Sequence, residues 1–218
     1  MAIRVAVIPA KALAGSKMRL ARVLDDDARR ALVLAMLRDV IATCRESGCF
    51  AEIVVVGGDD EVMRTASDAD ATAIPEPVAS GLNDAVSRGL RYARERGADE
   101  VLVVPADVPQ VTAEDVRGIL AASAARHGPA FIAVVRARDG GTNALVLRPP
   151  DVIEPAFGAQ SADAHLAGAR ARGIAGAELP LPRLAFDVDT PDDLRVLGHL
   201  SVGASTADWL ARWAASTR

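Results

Sequence analysis

The sequence predicts an α/β fold built on a central, mostly parallel sheet. Short β-branched runs alternate along the chain with longer helical stretches. Most of those runs are almost continuously apolar, as expected of strands covered on both faces. The third observation is size. The chain has 218 residues, 50% hydrophobic and 25% charged, enough for one sizeable core in a soluble protein and unlike disordered or fibrous chains. Aromatics are only 3% while alanine occurs 44 times, so the core must consist of Ala, Val and Leu with closely packed helices.

Arg4–Ile8 reads as the first strand; its apolar run is too short for a signal peptide. A helix over Ala28–Arg45 follows, with Leu34, Leu37, Val40 and Ile41 on one face. Ile53–Val56 is the next strand. Leu82–Arg96 repeats Leu82, Val86, Leu90 and Ala93 at helical spacing, and Val101–Val104 is again a strand. Thr112 and Asp115 form a capping-box pattern that opens a helix to about Ala125. Phe131–Val135 and Ala144–Leu147 read as strands. Ser161 is the expected N-cap of a helix over Ala162–Arg172, ended by Gly173. Thr190-Pro191-Asp192-Asp193 starts another helix, with a cap, a proline at the first position and acids at the positive dipole end.

The charge pattern narrows the function. A net charge of −4 argues against nucleic-acid binding, which needs a basic field. No apolar run is long enough to span a membrane. Two cysteines, Cys44 and Cys49, are too few for a four-ligand zinc site; they fit a reduced, cytoplasmic protein, with a disulfide between them the weaker alternative. Of the 25 basic residues only Lys11 and Lys17 are lysines, and both lie in an N-terminal stretch (residues 1–24) with no acid.

In open α/β sheets ligands bind beyond the carboxyl ends of the strands. After the first strand comes PAKALAGSKMRL, a small-residue loop carrying Lys11, Lys17 and Arg19. Its backbone amides and cations suit phosphate oxygens, although it lacks the Walker ending. After the third strand run comes Pro105-Ala106-Asp107, a carboxylate placed for a hard cation. In Phe186-Asp187-Val188-Asp189 an extended backbone presents both aspartates to one side, where they can hold one metal ion, or two with Asp107. Gly140-Gly141-Thr142-Asn143 reads as a ligand loop before a strand, and Phe157-Gly158-Ala159-Gln160-Ser161 as an anion-binding helix start. His165 lies one turn inside that helix, where a lone histidine reads as a packed or surface residue rather than a catalyst.

The ordered set PAKALAGSKMRL, SGLNDA, PADVP, GGTNALVLRPP, FGAQSADAH and FDVDTPDDL resembles the 2-phospho-L-lactate guanylyltransferase family of coenzyme F-420 biosynthesis. The resemblance covers about residues 3–200. It implies a three-layer nucleotidyltransferase fold, related to the nucleotide-diphospho-sugar transferases and Rossmann-like, with a mixed, mostly parallel sheet. Residues 1–203 read as a single domain; the tail over 204–218 lies outside the resemblance, and Thr206-Ala207-Asp208 in it can start a short helix. The implied reaction joins GMP from GTP to the phosphate of 2-phospho-L-lactate, phosphoenolpyruvate or 3-phosphoglycerate, with one or two magnesium ions, and releases pyrophosphate. It further implies functional coupling to a downstream enzyme that passes the guanylated acid to the deazaflavin precursor.

By motif match, Asp107, Asp187 and Asp189 are the implied metal carboxylates. Lys11, Lys17 and Arg19 are the implied triphosphate grip. Thr142, Asn143, Gly158 and Ser161 fall on the phospho-acid, and Ala10, Gly81, Leu82, Asn83 and Pro105 on the nucleotide. The acceptor loop departs from the family's usual Gly-Pro-Gly-Ser-Phe pattern at Gln160 and Ala162. Gln160 would then bond an extra acceptor oxygen and Ala162 would enlarge the space, altering acceptor choice. A sugar-1-phosphate nucleotidyltransferase or a glycosyltransferase on the same fold is the alternative that GGTNAL and the FGAQS loop oppose. A non-catalytic nucleotide-binding module is opposed by the three carboxylates. In the tail, Trp209 and Trp213 share a helix face, which either docks on its own domain or forms a homodimer contact.

Overall fold

The structure is a computed structural model that describes residues 2–10, 12–13, 15–76 and 81–216. Its strands are β1 (Arg4–Pro9), β2 (Glu52–Gly57), β3 (Thr72–Pro75), β4 (Glu100–Val103), β5 (Phe131–Arg136), β6 (Thr142–Arg148) and β7 (Ala175–Glu178). They form one sheet in the order β3-β2-β1-β4-β6-β5-β7. β6 is antiparallel to both of its neighbours, and the other pairings are parallel. The sheet is therefore mixed and mostly parallel, as expected. The edge strands β3 and β7 escape the sequence reading because TAIP and AGAE carry neither alternation nor an apolar run.

The helices are α1 (Asp26–Glu46), α2 (Asp60–Asp68), α3 (Leu82–Glu95), α4 (Ala113–Ala124), α5 (Ser161–Ala171), α6 (Pro191–Leu197) and α7 (Ala204–Ser216), with a 3-10 turn at Met18–Arg22. Alternate residues of each central strand feed two cores. Ala6, Ile8, Val55, Leu102 and Val146 pack with α1, α2, α4, α6 and α7. Val5, Val7, Val54, Val103 and Leu145 pack with α3 and α5. This makes three layers. The alanine-rich composition permits close approach: a Cβ on Gly89 of α3 would stand 2.4 Å from a methyl of Val7. The expected capping boxes of α4 (Thr112 with Asp115) and α6 (Thr190 with Asp193) both form.

α7 docks on α1. Asp39, buried on α1, accepts from the backbone amides of Ser205 (2.9 Å) and Thr206 (2.8 Å) and so caps the start of α7. Trp209 is buried in the larger core and stacks on Trp213 with centroids 5.7 Å apart. Trp209 thus serves an intramolecular contact. Replacing Asp39 by Ala leaves two helix-start amides unsatisfied and should cost about 1–2 kcal/mol. Urea unfolding followed by tryptophan fluorescence reads this as a lower midpoint; an unshifted midpoint would show that the cap contributes nothing.

Candidate active site

The parallel sheet presents the carboxyl ends of β1 and β4 along one edge. Because β6 runs the other way, its first residues reach that same edge. There lies a cleft of about 420 Å3. It is lined by Pro9 and Ala10 after β1, Gly15, Ser16 and Lys17 in the following loop, and Pro105, Ala106 and Asp107 after β4. Opposite stand Thr142 and Asn143, Phe157, Gly158, Ala159 and Ser161, with Asp187 and Asp189 closing one end. Leu82, at the start of α3, also lines it. The structure thus brings together most of the residues singled out from the sequence.

The centre of the charged end is Lys17. Its ammonium donates to Asp107 Oδ2 at 2.5 Å and to Asp189 Oδ1 at 2.6 Å. The side chain is almost wholly buried, and its backbone is left-handed at φ 51°, which a non-glycine residue adopts only when its surroundings enforce it. Burial by itself would push the ammonium towards neutrality. The two carboxylates more than offset that and hold its pKa above the usual lysine value. Asp187 carries the opposite strain. Burial, and then the charges of Asp107 and Asp189, raise its pKa above the usual carboxylate range. Asn143 Nδ2 donates to its Oδ1 at 3.5 Å, the outer limit of a hydrogen bond.

This end of the cleft carries three carboxylates against one ammonium, so it is short of positive charge. That donor chemistry fits a hard divalent cation held beside Lys17. Among the described residues no group of three or more acidic, histidine or cysteine side chains closes into a metal cage by itself. A magnesium site completed by phosphate oxygens has that character.

The other wall is built on a bulge. Val135 pairs with Ala144 while Arg136 pairs with Thr142, so Asn143 is the extra residue. Strict alternation back from Ala144 would aim Thr142 at the α1 side. The bulge turns it to the α5 side, where Ser161 Oγ donates to Thr142 Oγ1 at 2.9 Å. His165 Nδ1 meets the same oxygen at 3.1 Å. Thr142 and Asn143 therefore belong to β6 itself and not to the loop before it, a correction to the sequence reading.

Further expectations change with the structure. Ser161 is the first residue of α5 and not its N-cap; Gln160, left-handed at φ 56°, takes that position without a side-chain cap bond. Gln160 does not line the cleft. Its amide packs on Gly140 and donates to Asp139 O at 3.4 Å. Ala162 is fully buried in the core under α5, so it does not enlarge the cleft. Neither departure from the family pattern lines the cleft. Asn83 and Gly81 also stand off the lining. Asn83 Oδ1 accepts from Phe157 N at 2.7 Å and its Nδ2 donates to Phe157 O at 3.0 Å, clamping the loop that carries Gly158 to the start of α3. Arg19 is exposed outside the cleft, in a shallow depression with Met18 and Arg22. Lys11 lies outside the described residues. The sequence reading missed Asp139 and Phe157 on the wall. Asp139 stands just before the quoted GGTNALVLRPP and Phe157 opens the quoted FGAQSADAH, and their neighbouring glycines were the available signal.

His165 is buried, edge-on to the Phe157 ring at 4.9 Å, and accepts at Nε2 from Ala156 N at 2.9 Å. Burial pushes its pKa down to about 4.

A cleft with acids and a lysine at one end and hydroxyls along the wall, set at this sheet edge, suits a phosphate-bearing ligand. A solved structure described as a nucleotide-diphospho-sugar transferase, from Desulfovibrio desulfuricans, superposes with a TM-score of 0.72 at 18% identity, covering 98% of this chain and 99% of that one. The fold is therefore the nucleotide-diphospho-sugar transferase fold. The family model described as "Guanylyl transferase CofC like" matches residues 4–214, and the chain belongs to that family. The match ends inside α7, so most of the tail lies within the family's span. Among curated relatives, a phosphoenolpyruvate guanylyltransferase from Sphaerobacter thermophilus is 44% identical over 93% of this chain and 96% of its own length. A 3-phospho-D-glycerate guanylyltransferase from Phenylobacterium zucineum is 35% identical over 96% of this chain and 98% of its own.

The depressed His165 pKa has a sign that can be measured. The neutral ring stabilises the fold fully above the ordinary value of 6.5, and that contribution fades as pH falls towards about 4. Thermal midpoints of the wild type should drop through this window more steeply than those of His165→Asn, which cannot titrate. Parallel curves would contradict the assignment.

Proposed function

We propose that this chain transfers the guanylyl group of GTP to the phosphate of phosphoenolpyruvate, releasing pyrophosphate, in the biosynthesis of coenzyme F-420. The observation that carries this reading is one cleft with Lys17, Asp107 and Asp189 at one end and the Thr142–Ser161 hydroxyl pair on its wall, in a guanylyl transferase family member. The acid is chosen from the relatives' names, since a phosphoenolpyruvate enzyme is 44% identical. Loss of Gln160 and Ala162 from the acceptor space removes the sequence argument for an altered acid.

The acceptor phosphate is already an anion, so no base is needed to generate the nucleophile. Its oxygen forms a bond to the α-phosphorus of GTP, the bond from that phosphorus to the bridging oxygen breaks, and pyrophosphate leaves with the electron pair. The protein's task is to hold two anions in line and to stabilise the charge that leaves. Lys17 supplies a fixed cation where the phosphates converge. Ala10, Leu82 and Pro105 wall the nucleotide side. Thr142, Gly158 and Ser161 receive the oxygens of the acid. Asp107, Asp187 and Asp189 would hold magnesium, which when bound neutralises phosphate oxygens.

A second acid, 3-phosphoglycerate, is favoured by Asp139. This carboxylate lines the cleft beside Thr142 and can accept from a hydroxyl, which phosphoenolpyruvate lacks. A relative named for that acid is 35% identical.

Pyrophosphate release from GTP with each phospho-acid in turn should be fastest with phosphoenolpyruvate. A preference for 3-phosphoglycerate that disappears in Asp139→Ala would establish the second reading, and turnover with sugar phosphates alone would refute both. Asp187→Asn should lower turnover by on the order of 100-fold. Its thermal midpoint should hold or rise, because the charged form is disfavoured by burial and by two like charges. Full magnesium-dependent turnover in that variant would show the carboxylate to be outside the chemistry.

A further inference from the structure

His165 contributes to the acid side of the cleft without facing it. A backbone N–H can only donate, so the Ala156 amide requires His165 Nε2 to be the bare, accepting nitrogen. The neutral ring then carries its proton on Nδ1, 3.1 Å from Thr142 Oγ1. That oxygen, in contact with Ser161 Oγ at 2.9 Å, must accept it. Two hydroxyl protons remain for the pair. One bridges the two oxygens, and the other has no partner within the triad. The consequence is the same whichever hydroxyl donates to the other. The opposite ring tautomer would draw the Thr142 proton towards Nδ1, consume Ser161's in the bridge, and leave only lone pairs for a ligand.

We infer that His165 is a positioning residue: held by the Ala156 amide, it makes the Thr142–Ser161 pair a hydrogen-bond donor to an acceptor oxygen of the phosphorylated acid. This rests on the acid side of the cleft being where the proposed function puts it. Anionic oxygens accept and cannot donate, so a pair that always offers a proton selects for them. The ring is well held for the task. It is buried and edge-on to the Phe157 ring, and the backbone of Phe157 is clamped by Asn83.

Imidazole nitrogen-15 shifts of the wild-type protein should show the His165 proton on Nδ1; a proton on Nε2 would overturn the inference. Two variants then separate positioning from structure. His165→Leu keeps the bulk and loses the donor, and should raise KM for phosphoenolpyruvate about ten-fold with KM for GTP unchanged. His165→Asn keeps an N–H near the δ position and should recover most of that loss. Thr142→Val should raise the same KM, and adding His165→Leu to it should change little, because the histidine acts through that hydroxyl. A parallel rise of both KM values, no rescue by asparagine, or additive losses would each count against His165 as a positioning residue. A protein that turns over no phospho-acid would sink the functional reading itself, whereas the nitrogen shifts report on this inference alone.

Discussion

The ammonium of Lys17 joins three segments that are far apart in the chain. It reaches from the loop after β1 to Asp107 after β4 and to Asp189 before α6. A lysine buried with one carboxylate would be a poor structural device, because its desolvation offsets much of the attraction. With two carboxylates the cation is retained, and a third, Asp187, stays close enough to be pushed towards its neutral form. The cleft end is thereby left with more negative than positive charge. That imbalance suits a further cation, as the proposed magnesium would be. Lys17 itself is held in a left-handed backbone, a strained conformation for a residue other than glycine.

The opposite wall obeys a different constraint, in which direction matters more than charge. β6 enters the sheet antiparallel, so its start and not its end lies at the ligand edge. The bulge at Asn143 then splits two adjacent side chains between the two sides of the cleft. Asn143 goes to Asp187, and Thr142 to Ser161 and His165. Asn83 fastens the loop that carries Gly158 to the start of α3 with both atoms of its amide. The two walls are thus parts of one hydrogen-bonded frame, and the ligand edge owes its shape to it.

Much of this was legible in the residues. The strands with continuous apolar runs, the long helices and both capping boxes form where the patterns put them, because each is decided by local periodicity or by a side chain three residues away. The cleft assignments of Lys17, Asp107, Thr142, Gly158, Ser161, Asp187 and Asp189 follow from the rule that ligands gather where parallel strands end. The failures share one cause. Asn83 and Gln160 were read as facing a ligand from their positions in motifs, yet their side chains are occupied by backbone groups of neighbouring loops. Arg19 was grouped with Lys17 by adjacency in the chain, but the 3-10 turn carries it outwards.

By itself the sequence determined the α/β architecture, the identity of the charged groups and the family to which they belong. These depend on local spacing and on an ordered set of short motifs. Tertiary structure alone decided which of those groups meet. It paired Lys17 with Asp107 and Asp189, turned Thr142 to the α5 side, joined α7 to α1 through Asp39, and gave His165 a role in orienting hydroxyls. The physical reason is that a hydrogen bond is made between atoms in space. Strand order, a one-residue bulge and the burial of a ring set those distances, and no local pattern encodes them.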